Sequence, residues 1–166
     1  MLRATLLLTL ISGSALANPQ RAAALDAFAR NCFSPFLTSA IAEAELAPHG
    51  RYDFYDLAPF SDVAPSPATS AVTRNTDRRC EVAFDGDHGA AAAEVAAAAA
   101  EAEGITTEAP LPATHPDLPG TTLLVARALN PGRVAVVHTG TRPGPNGTET
   151  FLSVERLTPD ASEALR

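Results

Sequence analysis

The chain has 166 residues, of which 46% are hydrophobic, and its formal net charge is −7. Lysine and tryptophan are both absent, so every fixed cation is an arginine. An acidic chain with scattered arginines neutralises few phosphates, which argues against binding to nucleic acid or to an anionic membrane surface. Abundant Ala, Gly, Pro and Arg without Lys is typical of a GC-rich bacterial genome, so we expect a bacterial protein.

Residues 1–17 have the three parts of a secretory signal peptide. Arg3 supplies the positive charge, Ala4–Ile11 is an apolar run, and Ala15-Leu16-Ala17 is a small-x-small cleavage site. The apolar run is too short to span a bilayer, and no later segment approaches the ~20 apolar residues that a membrane helix needs. An ordinary amphipathic first helix is the alternative. We expect cleavage near Ala17 and a periplasmic or extracellular location.

The mature chain is short enough for one domain, residues 18–157, followed by a polar tail, residues 158–166. It contains two cysteines, Cys32 and Cys80. Two cysteines in an exported protein usually pair, and closing a loop of this length would stabilise the fold by about 4 kcal/mol through chain entropy. The alternative is a reactive thiol, but the Cys-x-x-Cys spacing and the neighbouring histidine that favour one are missing. We therefore predict a structural disulfide.

The first part of the mature chain has the periodicity of two helices. Asn18-Pro19 is a typical start, with a capping residue followed by proline at the first helical position. Apolar residues then recur at the spacing of one helical face: Leu25, Phe28, Ala29, Cys32 and Phe36. Ser34-Pro35 interrupts this face, and a second apolar repeat up to Ala44 predicts a helix that ends near Pro48.

Two segments in the middle of the chain have the pattern of strands. Arg51–Leu57 is short and aromatic, and it fits either a covered strand or an extended segment. Since the chain has few aromatic residues, we expect Tyr52–Tyr55 to supply the core. Arg78–Phe84 alternates with Cys80 on its apolar side, which predicts a half-buried strand next to the first helix. Ala58–Asp77 lies between them, is rich in Pro, Ser and Thr, and predicts a long surface loop.

An almost pure alanine segment follows the strand of Cys80. Alanine is the best helix former, so we predict a helix from an N-cap at Asp87 to Glu103, with Gly104 as its stop. Thr106–Gly120 contains four prolines and should be an extended connection. The helix would then be the crossover between two strands, and a right-handed one if those strands were parallel neighbours.

The C-terminal part predicts three consecutive strands rich in Val, Leu, Thr and Phe: Thr121–Leu129, Arg133–Thr139 and Thr150–Leu157. A loop rich in Gly and Pro, Gly140–Gly147, separates the last two. We predict that the three strands form an antiparallel meander. The fold class is therefore α+β, with an antiparallel sheet of four to five strands and with the first helix and the alanine helix packed on one face.

Asp85, Asp87 and His88 form the first candidate site, because two carboxylates and an imidazole within a glycine-flanked turn could hold a divalent cation. The alternative is a turn that leads into a capped helix, where acidic residues are favoured by the helix dipole.

Arg142, Gly144, Asn146 and His138 form the second candidate site, at or near the Gly140–Gly147 loop. Glycines let backbone N–H groups approach an anion, and Arg142 could clamp a carboxylate or a phosphate. The alternative for Asn146 is a tight turn. The alternative for His138, which lies on a strand face among valines, is a hydrogen-bonded structural histidine.

No segment matches a specific catalytic motif. We therefore expect a small exported domain that binds an unknown protein or small-molecule ligand without catalysis and without a cofactor. The alternative is a small hydrolase or metal-dependent enzyme that uses Asp85, Asp87 and His88, or His138. The deciding observation is whether Arg142, His138 and Asp87 converge on one pocket.

Overall fold

A computed structural model of the chain describes residues 19–59, 71–129 and 132–166. The predicted signal peptide, the predicted cap Asn18 and most of the predicted loop 58–77 lie outside the described residues. In chain order the elements are α1 (Pro19–Asn31), α2 (Ser39–Leu46), β1 (Arg51–Asp56), β2 (Thr76–Asp85), α3 (Gly89–Ala102), β3 (Glu108–Ala109), β4 (Thr121–Ala128), β5 (Val134–Gly144), β6 (Gly147–Leu157) and α4 (Pro159–Glu163).

The six described strands form one antiparallel sheet in the order β1–β2–β6–β5–β4–β3. The α+β class and the meander of β4, β5 and β6 are confirmed. The sheet has one strand more than expected, because two residues of the predicted connection, Glu108 and Ala109, pair with the end of β4. β6 is buried from Glu149 to Leu157 and lies between β2 and β5. The strands on either side of α3 are therefore not neighbours, so the condition for a right-handed parallel crossover is not met.

Helices α1 and α3 cover one face of the sheet, as predicted. The apolar residues of the central strands alternate onto this face: Cys80, Val82, Phe84, Ala135, Val137, Leu152 and Val154. The alanine side chains let α3 lie close to the sheet, with Ala92 and Ala96 fully buried. At Gly89 the helix backbone is so close to β4 that an added Cβ would lie 2.4 Å from the Thr122 hydroxyl.

The predicted disulfide is present between Cys32, directly after α1, and Cys80 in β2. The two Cα atoms are 5.3 Å apart, and both residues are buried. The bridge therefore joins the helical layer to the sheet inside the core. The aromatic segment also behaves as expected, because Phe54 and Tyr55 of β1 are fully buried.

The prediction of a loop at Gly140–Gly147 is wrong. β5 continues to Gly144 and β6 begins at Gly147, so Pro145 and Asn146 alone form the turn of a hairpin. Gly147 has a φ of +112°, which glycine adopts without strain. Gly140 lies within β5. The residue at this position must be glycine, because a Cβ there would lie 2.3 Å from the carbonyl oxygen of Gly120. Glycine marks a close approach of two backbones at this position, and not a loop.

Residues 158–166 contain α4, which packs against the sheet face opposite α1 and α3. The Thr158 hydroxyl caps the helix by accepting from the Ala161 N–H at 3.3 Å. Ser162 is buried, and its hydroxyl accepts from the Val134 N–H at 3.1 Å. Leu165 adds an apolar contact to a small cluster around Val136. The segment predicted to be a polar tail thus contributes to the fold.

Candidate functional site

The strand residues that alternate with the core point away from α1 and α3, and charged side chains predominate among them. We call this surface the polar face. The polar face includes Arg51, Asp53, Arg79, Glu81, Asp85, His138, Arg142, Glu149, Phe151, Ser153 and Glu155. The strand register places acidic residues beside arginines, so neighbouring strands exchange ion pairs across this surface.

Glu149 is the centre of one ion-pair network on the polar face. Its carboxylate is buried and accepts from Arg51 Nε at 2.9 Å and from Arg142 Nε at 2.7 Å. Arg142 also donates to Glu81. Burial acts to lower the pKa of Arg142, but the hydrogen bonds to the two glutamates outweigh it and raise that pKa. The residue predicted to clamp an anion therefore already binds two carboxylates of its own chain.

Asn146 and Asp85, predicted for two different sites, contact each other. The Asn146 amide donates to Asp85 Oδ2 at 3.0 Å, and Arg51 donates to Asp85 Oδ1 at 2.7 Å. These two hydrogen bonds hold the pKa of Asp85 below its usual value. They fix the hairpin turn to the end of β2, so both side chains support the turn.

His138 and Arg142 are brought together on either side of Phe151. The His138 ring meets the Phe151 ring edge to face at 4.9 Å, and the Arg142 guanidinium lies over the same ring at 4.8 Å. His138 Nε2 is 2.9 Å from the Thr121 hydroxyl. Burial, followed by the charge of His115, lowers the pKa of His138. These contacts are those of the hydrogen-bonded structural histidine that was the alternative for this residue.

A second network connects the polar face to the proline-rich connection before β4. Arg79 donates to Glu155 at 3.0 Å and to Asp53 at 3.0 Å. On the other side of Glu155, His115 Nε2 is 3.4 Å from its second carboxylate oxygen. The His115 side chain is almost completely buried. His115 lies in the connection Thr106–Gly120 that was predicted to be extended, and the sequence around it gives no sign of this long-range contact.

The predicted metal ligands Asp85, Asp87 and His88 do not converge. The His88 ring stacks on Phe84 with 6.0 Å between centroids, and its backbone N–H donates to the Thr150 hydroxyl at 2.9 Å. Asp87 is exposed, and the residue at the helix cap is His88 and not Asp87 as predicted. Throughout the described ranges, no group of three His, Cys, Asp or Glu side chains is arranged to hold a metal ion. The turn before a helix, the alternative considered for this segment, is what forms.

A cavity of about 540 Å³ opens on the other side of the sheet, between the segment after α1, the end of α3 and strands β5 and β6. We call it the groove. Its lining combines aromatic and aliphatic side chains with a few charged ones: Cys32, Phe33, Pro35, Phe36, Arg78, Glu103, Gly104, Ile105, Leu129, Ala135, Val154 and Arg156. Phe36 is 62% exposed, so an aromatic ring stands in solvent at this surface. The volume lies within the ~300–1,000 Å³ of typical ligand pockets.

Two buried arginines contribute charge to the groove. The Arg78 guanidinium donates to the carbonyls of Ser34 and Pro35 and lies 3.1 Å from Asp56. Arg156 donates to the same Asp56 at 2.8 Å. Burial lowers the pKa of Arg78 to about 10, and the charge of Arg156 acts in the same direction while Asp56 opposes it. The groove thus has largely apolar walls and two cations among its lining residues.

Sequence reasoning missed the groove, although part of its signal was present. Strand alternation places Arg78 in line with Cys80, and Arg156 in line with Val154, on the apolar side of each strand. An arginine at such a position must be buried with partners or lie beside a cavity. The walls come from separate parts of the chain, and their convergence has no sequence signature.

Comparison with known proteins finds no matching family model, no matching curated protein and no matching solved structure. Across residues 19–59, 71–129 and 132–166, none of the helices is long and apolar enough to cross a membrane.

Proposed function

We propose that this protein is a small exported binding domain without catalytic activity, and that the groove is its ligand site. The observation that carries the proposal is the groove itself, a cavity of about 540 Å³ with aromatic and aliphatic walls. Ligand pockets are typically of this size and character, with a small number of polar groups that orient the ligand. The proposal requires no cofactor.

Two features support export. The pattern of residues 1–17 is that of a signal peptide, and the disulfide between Cys32 and Cys80 is a bond that persists in oxidising compartments. Cys32 also lines the groove, so the bridge fixes one wall of the proposed site.

The polar face supports the non-enzymatic part of the proposal. His138 is hydrogen-bonded to Thr121, and Arg142 is bonded to Glu81 and Glu149. Ser153, which is opposite His138 in the strand register, is 4% exposed and out of reach of a substrate. A hydrolase needs a nucleophile and a base that both reach the substrate, so a hydrolase centred on His138 is the weaker candidate.

Binding of an uncharged apolar fluorophore, N-phenyl-1-naphthylamine, tests the proposal. We expect a saturable rise in its emission with the unaltered protein and loss of that rise in Leu129→Glu, because a carboxylate would be placed in the groove. Leu118→Glu is the matched control, since Leu118 is 54% exposed and does not line the groove. Emission that never saturates, or that falls equally in both variants, would rule out the groove as the ligand site.

A further inference from the structure

We infer that the groove takes an amphipathic anion, an extended aliphatic chain that ends in one carboxylate. The inference rests on the proposed binding function and adds the chemical class of the ligand. Three observations support it: a second cavity under α3 that shares Ile105 with the groove, the environment of Arg78, and the position of Glu103.

Beside the groove lies a second cavity of about 220 Å³ between α3 and β4, whose lining is mostly apolar and includes the charged residues Glu101 and Arg127. Ile105 lines both cavities. The second one exists because Ala96, Ala97 and Ala100 reach only a short way toward Leu123 and Val125, which are themselves half-buried. A helix with larger side chains would fill this space. Two neighbouring cavities that share Ile105 suit a flexible alkyl chain, which can enter both, better than a compact ring system.

The environment of Arg78 indicates that the head group of the ligand is negatively charged. Among the described residues Arg78 pairs with one carboxylate, Asp56, and Asp56 also accepts from Arg156. The Arg78 side chain is 7% exposed, so water screens its charge poorly. A ligand carboxylate that reaches Arg78 would gain a charge-assisted hydrogen bond in a site of low dielectric constant. A cationic head group would instead meet two arginines.

Glu103 sets the direction of the ligand. It lines the groove from the exposed end of α3 and would repel an anionic head group. The carboxylate is therefore directed toward Arg78, and the alkyl chain runs past Ile105 toward the cavity under α3.

Competition between N-phenyl-1-naphthylamine and three amphiphiles with the same alkyl chain tests this inference. The competitors are dodecanoate, dodecanol and dodecyltrimethylammonium, each below its micellar concentration. We expect dodecanoate to displace the fluorophore with a Kd at least about tenfold lower than that of dodecanol, because charged hydrogen bonds contribute more than apolar contact alone. Dodecyltrimethylammonium should be the weakest of the three.

The outcomes separate this inference from the proposed function. Equal affinity for dodecanoate and dodecanol, or preference for dodecyltrimethylammonium, would contradict the inference that the head group is a carboxylate. The proposed binding function would not be affected. If the fluorophore itself did not bind, the proposed function and this inference would both be wrong.

Substitution of Arg78 gives a second readout. Arg78→Met should lose the preference for dodecanoate over dodecanol, and Arg78→Lys should retain it. Arg142→Met, on the opposite face of the sheet, is the matched control and should retain the full preference. Arg78 also holds the carbonyls of Ser34 and Pro35, so circular dichroism must first show that the variant is folded. Should it unfold, the head-group comparison on the unaltered protein decides alone.

Discussion

The two sides of the sheet hold their arginines in different ways. Each arginine of the polar face binds two carboxylates: Arg51 binds Asp85 and Glu149, Arg79 binds Asp53 and Glu155, and Arg142 binds Glu81 and Glu149. On the helix side, Arg156 also binds two carboxylates, Asp56 and Asp77, whereas Arg78 pairs among the described residues with Asp56, which it shares with Arg156. A surface that satisfies its own charges has little to offer a ligand, whereas a buried cation beside an apolar cavity can be stabilised further by one. We therefore place the binding function on the helix side.

The largest expected effect on stability comes from replacing an arginine with methionine on the helix side, compared with the same replacement on the polar face. Arg156→Met should lower the free energy of unfolding by about 3–5 kcal/mol, because it leaves buried Asp56 and Asp77 without a cation that both use. Arg142→Met should lower it by less than about 1 kcal/mol, because the Arg142 side chain is 41% exposed and its ion pairs are screened by water. Urea unfolding of both variants gives the comparison. Equal losses would mean that the polar face is as dependent on its ion pairs as the core.

Removal of the disulfide should have the next largest effect, and it acts on the helix side. The double variant Cys32→Ser/Cys80→Ser should lose about 2–4 kcal/mol, since the bridge restricts the unfolded chain. It should also weaken binding of N-phenyl-1-naphthylamine, because Cys32 lines the groove. Thermal unfolding with and without a reductant, using the variant as reference, measures the loss. A melting temperature that does not respond to the reductant would contradict a structural role for the bridge.

Ser153→Ala, on the polar face, should raise the free energy of unfolding of the protein. The Ser153 hydroxyl is buried and has no hydrogen-bond partner among the described residues. Burial of a hydroxyl without a partner costs about 1–3 kcal/mol, and alanine removes this cost while leaving a small cavity. We expect a net gain of about 1 kcal/mol in urea unfolding. A loss of stability of similar size would show that the hydroxyl has a partner, such as a bound water.

The smallest effect concerns pH and His138. Its pKa is lowered in the folded protein, mainly by burial, so the unfolded chain binds more protons between the unfolded pKa of about 6.5 and the folded value below it. The contribution of His138 to the free energy of unfolding should therefore decrease as the pH falls through this window, and it should remain constant above the window. Comparison of unfolding curves for the unaltered protein and His138→Gln isolates the contribution. A stability that increased on acidification through the window would contradict the direction of the shift.

The fold was largely predictable because its signals are local. Alternation identified β2, the Val, Leu, Thr and Phe content identified the strands of the meander, and alanine content identified α3. The disulfide followed from the number of cysteines and from the expectation of export. Strand order was not predictable, since the insertion of β6 between β2 and β5 depends on which apolar strand can be buried on both sides.

The errors have physical reasons at particular residues. Gly140 and Gly144 made a strand resemble a loop, but Gly140 is needed where the backbone of Gly120 approaches it. Arg142 and His138 both contact Phe151, but Glu149 and Thr121, which bind them, come from other parts of the chain and were not predicted. The groove was missed because its walls converge only after folding.

The most direct test of the groove as a binding site uses the absence of tryptophan from the chain. Phe36→Trp places a single fluorescent reporter at the groove, on a side chain that is 62% exposed. Its emission should shift to shorter wavelength and saturate as dodecanoate is added, while Leu118→Trp, away from the groove, should show no saturable change. A folded Phe36→Trp protein whose emission is indifferent to dodecanoate, or that responds in the same way as Leu118→Trp, would contradict the account.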